Sequence, residues 1–103
     1  MKTTHRMEKI NNLLKKTLSS IFLEDMERPI DNFITVIAVD TKPDLSSATI
    51  IVSALKNEEE VIENLNKQSR HIRAILGKKV RLKKIPQLSF KSDPFKDLFM
   101  GNI

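Results

Sequence analysis

Arg70, Arg73, Arg81 and Lys84 recur at three- to eight-residue steps that, on a helical wheel, place them with Gly77 inside an arc of about 80°. Lys67, Lys78, Lys79 and Lys83 fall at the edges of that arc. Arginine offers planar, bidentate contact to phosphate and lysine a mobile point charge, so the chemistry implied is polyanion binding. Gly77 would leave a gap where a nucleic-acid backbone could come close. A merely solvated helix face ordinarily mixes signs, yet residues 66–91 carry nine cations and no Asp or Glu. Lys2, Arg6, Lys9 and Lys16 fall near one line of an N-terminal helix and are candidates to share the same surface.

The net charge of +5 hides this arrangement. Residues 1–23 hold five cations and one acid, residues 24–65 three cations and ten acids, and the last twelve residues one cation and two acids. Such sign asymmetry fits a binding face and a back, with nucleic acid as the first candidate partner. Base-reading chemistry is thin: there is no Trp or Tyr, and Phe33 and Phe90 are expected in the core.

Other chemistries are poorly supported. The chain has no Cys, which removes disulfides, thiolate zinc sites and thiol nucleophiles and points to a reducing compartment, the cytoplasm. Asp31, Asp40 and Asp44 are the carboxylates a metal-dependent nuclease would need, but Asp40 and Asp44 sit in a stretch with turn chemistry. His5 and His71 lack a second ligand at metal spacing. With Gly77 and Gly101 as the only glycines, no phosphate-cradling loop is present. The expectation is a binding protein without cofactor or metal, not an enzyme. No apolar run approaches the roughly 18 residues of a membrane span, so a soluble, unprocessed monomer is expected.

The elements that position these residues follow from periodicity. Met7, Ile10, Leu14, Leu18 and Ile21 predict a helix from Thr4 to Leu23, closed before Pro29. Phe33–Val39 and Ala48–Ser53 are β-branched and read as strands of a hairpin turning through Asp40–Asp44. Asn57 and Glu60 have capping-box spacing at a helix start. The apolar stripe of Val61, Ile62 and Leu65 slips before Ile72, Ile75 and Leu76, which predicts a kink near Ser69, with the second helix running toward Leu82. Pro86–Lys91 alternates as a third strand. The fold class is α+β: one domain over residues 1–93 with helices on one face of a three-stranded mixed sheet, and a short tail over 94–103.

Two motifs then point to a family. Asp40-Thr41-Lys42-Pro43-Asp44-Leu45-Ser46-Ser47-Ala48 with Ile51-Val52-Ser53 resembles the S-P-D-L-x-x-A-x-V-x-V-S stretch of the ribosome-binding factor A family. Ile72-Arg73-Ala74-Ile75-Leu76-Gly77, Val80-Arg81-Leu82 and Ile85 to Asp93 resemble its I-R-x-x-L-G-x-x-x-R-L-R-x-x-P-E-L-x-F-x-x-D. The resemblance spans nearly the whole chain. It implies a type II KH-like αββααβ fold and an assembly factor that binds the immature 30S subunit and its 16S rRNA and assists late maturation. Ribosomal proteins and a maturation GTPase are the further partners it brings into view. It also implies an Ala-x-Gly kink, for which the matching positions here are Gln68, Ser69 and Arg70. The competing readings are a general KH-like RNA-binding regulator and a protein-interaction module gripping an acidic partner with the basic face.

Overall fold

A computed structural model of the protein describes residues 5–26 and 32–95. The elements run α1 (His5–Glu24), β1 (Ile34–Thr41), β2 (Ser47–Ala54), α2 (Glu58–Lys67), α3 (Ser69–Lys79) and β3 (Gln87–Ser92). β1 pairs antiparallel with β2 and β3 adds parallel on the other side of β2, giving the expected three-stranded mixed sheet in the order β1-β2-β3.

Strand alternation explains the layering. Val36, Val39, Ala48, Ile50, Val52, Leu88 and Phe90 are buried on one face, while Thr35, Asp40, Gln87, Ser89 and Lys91 are exposed on the other. All three helices therefore cover one face. Met7, Ile10, Leu14, Leu18 and Ile21 bring α1 down on that face, and Phe22 meets Phe90 of β3 with ring centroids 6.0 Å apart. Leu65, Ile72 and Leu76 complete the core from α2 and α3. A shift of register between Val36 and Ala38 leaves Ile37 in a bulge, so that both Val36 and Val39 point inward.

Several local expectations are corrected. Asp40 and Thr41 belong to β1 and not to the turn, because Asp40 pairs with Thr49 and Thr41 with Ala48. The turn is closed by Leu45 N–H donating to Lys42 C=O at 2.8 Å. Leu45 takes a left-handed φ of 61°, a strained choice for a branched side chain, offset by its burial. Asn57 precedes α2 with φ 53° and makes no side-chain cap; Glu58 Oε2 instead reaches back to accept from Ala54 N–H at 3.2 Å. Phe90 is buried as expected, but Phe33 is 56 % exposed. Helix α3 ends at Lys79, since Val80 turns to extended geometry (φ −121°, ψ 153°) to bury its side chain. Phe95 follows β3 exposed, and the tail from residue 96 onward lies outside the described residues.

Candidate nucleic-acid interface

The break between α2 and α3 falls at a single residue, Gln68 (φ −96°, ψ 9°). Its N–H is shared between Asn64 C=O at 3.0 Å and Leu65 C=O at 3.1 Å, and its own C=O accepts from Ile72 N–H, so both helices stay hydrogen-bonded through the bend. Asn66 to His71 carry no apolar side chain that would force one straight stripe. The kink expected near Ser69 is thus present, and Ser69 opens α3.

Ser69, Arg70, Arg73, Gln87 and Leu88 line a cleft of about 340 Å³ between the start of α3 and β3. Arg70 is exposed there. Arg73 is committed otherwise: its Nη2 donates to Ile85 C=O at 2.7 Å, and its Nε donates to Ile85 C=O at 3.0 Å and to Pro86 C=O at 3.2 Å. Carbonyls do not neutralise a guanidinium, so Arg73 still adds its charge to the cleft while it fixes the α3–β3 loop.

That loop corrects the helical ridge. Arg81, Lys83 and Lys84 lie beyond the end of α3 and are exposed on residues 80–86, which fold back along the helix. Ile85 packs beside Gly77, its Cγ1 3.5 Å from where a Cβ would stand, an ordinary contact distance, and Gly77 is otherwise exposed. Pro86 is buried, and Gln87 N–H donates to Ser46 C=O at 3.1 Å, which fastens the loop's end to the β1–β2 turn.

The turn adds a cation that sequence reasoning missed. Asp44 is held below its ordinary carboxylate pKa, first by the Ser46 hydroxyl (2.7 Å) and then by the Ser46 backbone N–H (3.0 Å); desolvation opposes them, and the charges of Lys84 and Lys42 add smaller lowering effects. Lys42 therefore shares a neighbourhood with Lys84. Lying in the segment where acids predominate, its charge was averaged away; its place one residue after a strand end was the available signal.

Gln87 lines the cleft with Arg70 and Arg73 and is bonded to Ser46 of the turn, so the cleft and the turn that carries Lys42 lie at the same end of the sheet, and Arg81, Lys83 and Lys84 are exposed on the loop that leads into it. Lys67 and Lys79 are brought elsewhere: Lys67 Nζ is 3.3 Å from Glu63 and Lys79 Nζ is 3.3 Å from Asp25. Lys78 is exposed in the last turn of α3. Arg6 and Lys9 are exposed on α1, whose Asn11 Oδ1 accepts from Thr41 N–H at 3.0 Å and so ties the first half of that helix to the hairpin-turn end. Lys2 and Asp31 lie outside the described residues. Asp40 stands on the open sheet face, away from Asp44 in the turn, and His71 lines a separate cleft of about 380 Å³ with Asp25, Met26, Asn64 and Gln68. Among the described residues no three His, Asp or Glu converge to hold a metal ion.

The family model described as Ribosome-binding factor A matches residues 6–98. The chain belongs to the ribosome-binding factor A family. A ribosome-binding factor A of Natranaerobius thermophilus is 38% identical over 91 residues, covering 85% of this chain and 70% of that one. One from Prochlorococcus marinus is 33% identical over 98 residues, covering 90% and 75%. The crystal structure of ribosome-binding factor A from Thermus thermophilus superposes with a TM-score of 0.75 at 26% identity over 84% of this chain and 94% of that one. A Thermus thermophilus ribosome-binding factor A model fitted into a cryo-EM map of a 30S complex gives 0.69 at 28% identity, covering 87% and 93%. The αββααβ order and mixed sheet agree with these ribosome-binding factor A structures.

Proposed function

We propose that this protein binds the immature 30S subunit, holds 16S rRNA phosphates with its cationic end, and assists late maturation of the particle without catalysing a reaction itself. The observation that carries the reading is a family member fitted into a 30S complex, together with an end of this chain where Arg70, Arg73, Arg81, Lys83, Lys84 and Lys42 gather. Arg70, Arg81, Lys83 and Lys84 are the contacts we assign first, being exposed at the cleft and on the loop beside it; Arg6, Lys9 and Lys78 are secondary, and Lys67 and Lys79 are already paired with acids. Binding of this type reads phosphate and shape, as the polar, non-aromatic lining of the cleft favours. A cytoplasmic monomer acting on free small subunits, near ribosomal proteins and a maturation GTPase, completes the proposal. No described helix is long and apolar enough to cross a membrane.

Sedimentation of tagged protein with cell lysate tests it. The tagged chain is expected to travel with free small subunits, to be depleted from translating ribosomes, and to lose about 0.7–0.9 in the slope of log affinity against log salt for each phosphate contact removed. Undiminished binding by an Arg70→Ala/Lys83→Ala/Lys84→Ala variant would remove this end as the interface.

A further inference from the structure

The opposite end of the sheet carries a different surface. One step beyond the Ile34–Ala54 pair, Leu55 N–H donates to Phe33 C=O at 3.2 Å, so Phe33 and Leu55 stand across the ladder from each other. They follow the alternation of Thr35 and Ser53 onto the face without helices, and they are 56 % and 66 % exposed. One step further, Asn32 stands in for a strand residue: its Nδ2 donates to Lys56 C=O and its Oδ1 accepts from Lys56 N–H, both at 3.1 Å. Strand ends ordinarily fray. Here an aromatic and a leucine are held in fixed register in solvent by a side chain that closes the ladder beyond them.

The surroundings narrow the occupant. Ile37, exposed in the bulge, and half-buried Ile51 continue the apolar strip along the same face. Glu59 and Glu60 are exposed in the first turn of α2, four and five residues after Leu55, with Lys56 the cation between. Carboxylates repel phosphate, while a pre-ordered aromatic beside an aliphatic side chain is what protein interfaces concentrate their energy on. The eight residues of β1 and β2 separate this end from the hairpin turn by roughly 26 Å, well beyond the screening length of about 8 Å at physiological salt. Both ends can be occupied together.

We propose that Phe33 and Leu55 form a docking surface for a basic protein, whose cations face Glu59 and Glu60 while the opposite end of the chain holds RNA. The partner's identity rests on the small-subunit reading above: it is a basic protein of the same particle. The test uses the full chain with a photoreactive benzoylphenylalanine at Phe33, bound to purified immature small subunits. The expected product is a crosslink to a small-subunit protein, suppressed by Leu55→Ser. Crosslinks confined to rRNA, to a second copy of the chain or to the chain's own C-terminal residues overturn the proposal. A Phe33→Ser/Leu55→Ser variant is expected to bind the particle about tenfold more weakly, with its affinity for protein-free 16S rRNA and its circular dichroism unchanged. Equal weakening toward particle and naked rRNA, or no weakening at all, counts against a protein partner. If the unaltered chain fails to bind small subunits, the small-subunit reading falls instead, and the partner named here falls with it.

Discussion

Asn66 grips Phe90 at the free edge of the sheet: its Nδ2 donates to Phe90 C=O at 3.0 Å, and its Oδ1 accepts from Phe90 N–H at 2.8 Å. A residue on the last turn of α2 thereby supplies the edge strand with the pairing that a fourth strand would have given. Asn32 does the same for Lys56, and Asn11 for Thr41 N–H. Asn66 thus satisfies the free edge while Asn32 and Asn11 close two ends of the ladder, and the one on α2 also sets where the kink and its cleft stand over β3. Replacing Asn66 by Ala leaves both Phe90 groups without that partner and is expected to cost about 1–3 kcal/mol, measured by urea unfolding. Replacement by Asp, which keeps the acceptor but not the donor, should lose part of that amount.

Arg73 and Arg70 differ by three positions and by role. Arg73→Ala releases the Ile85 and Pro86 carbonyls, so a loss of about 1–2 kcal/mol of stability is expected along with faster amide exchange over residues 80–87. Arg70→Ala should weaken RNA binding with the melting temperature held within a degree or two. Equal melting temperatures for the two variants would show that the Arg73 clamp contributes nothing.

Thr41 presents a buried hydroxyl with no hydrogen-bond partner among the described residues. Its backbone is held by Asn11 and its pairing with Ala48, so only the side-chain oxygen is unsatisfied. Thr41→Val replaces that oxygen by a methyl of similar shape and is expected to stabilise the fold by about 1 kcal/mol, read as a higher melting temperature.

Asp44 offers a pH test. Its folded-state pKa lies below the ordinary value, so its contribution to stability is complete above the unfolded-state pKa and is lost as pH falls through the lower, folded-state one. Carbon-detected titration of its carboxyl should show the depressed midpoint. Ser46→Ala is expected to raise it most, because the Ser46 hydroxyl is the largest cause, and Lys84→Ala less. A larger effect from Lys84 would reverse that order.

Lys42 and Lys67 test the redistribution of the cationic site. Lys42→Ala should flatten the salt dependence of RNA binding by one contact, about 0.7–0.9 in slope, while Lys67→Ala, whose amine already sits by Glu63, should change it little. Filter binding across a salt series distinguishes the two.

Periodicity determined the core residues of α1 and the slip between Leu65 and Ile72, β-branched runs completed the αββααβ order, and a charge count showed the concentration of cations in residues 66–91. Those features are legible because each is carried by residues close together along the chain. The end of α3 was not legible: Arg81 and Lys84 fit a helical wheel, yet burying Val80 and Pro86 stops the helix at Lys79, and the wheel has no knowledge of where the core lies. Nor could spacing show that Arg73 spends its guanidinium on Ile85 and Pro86, that Lys42 joins Lys84, or that Phe33 stands in solvent. Each depends on contacts between residues distant in sequence or on which face of the sheet the helices cover. The sequence by itself determined that this protein has a cationic part and an acidic part; the tertiary structure alone decided which cations face solvent together and which are held by neighbours, because that is fixed by packing and register rather than by order along the chain.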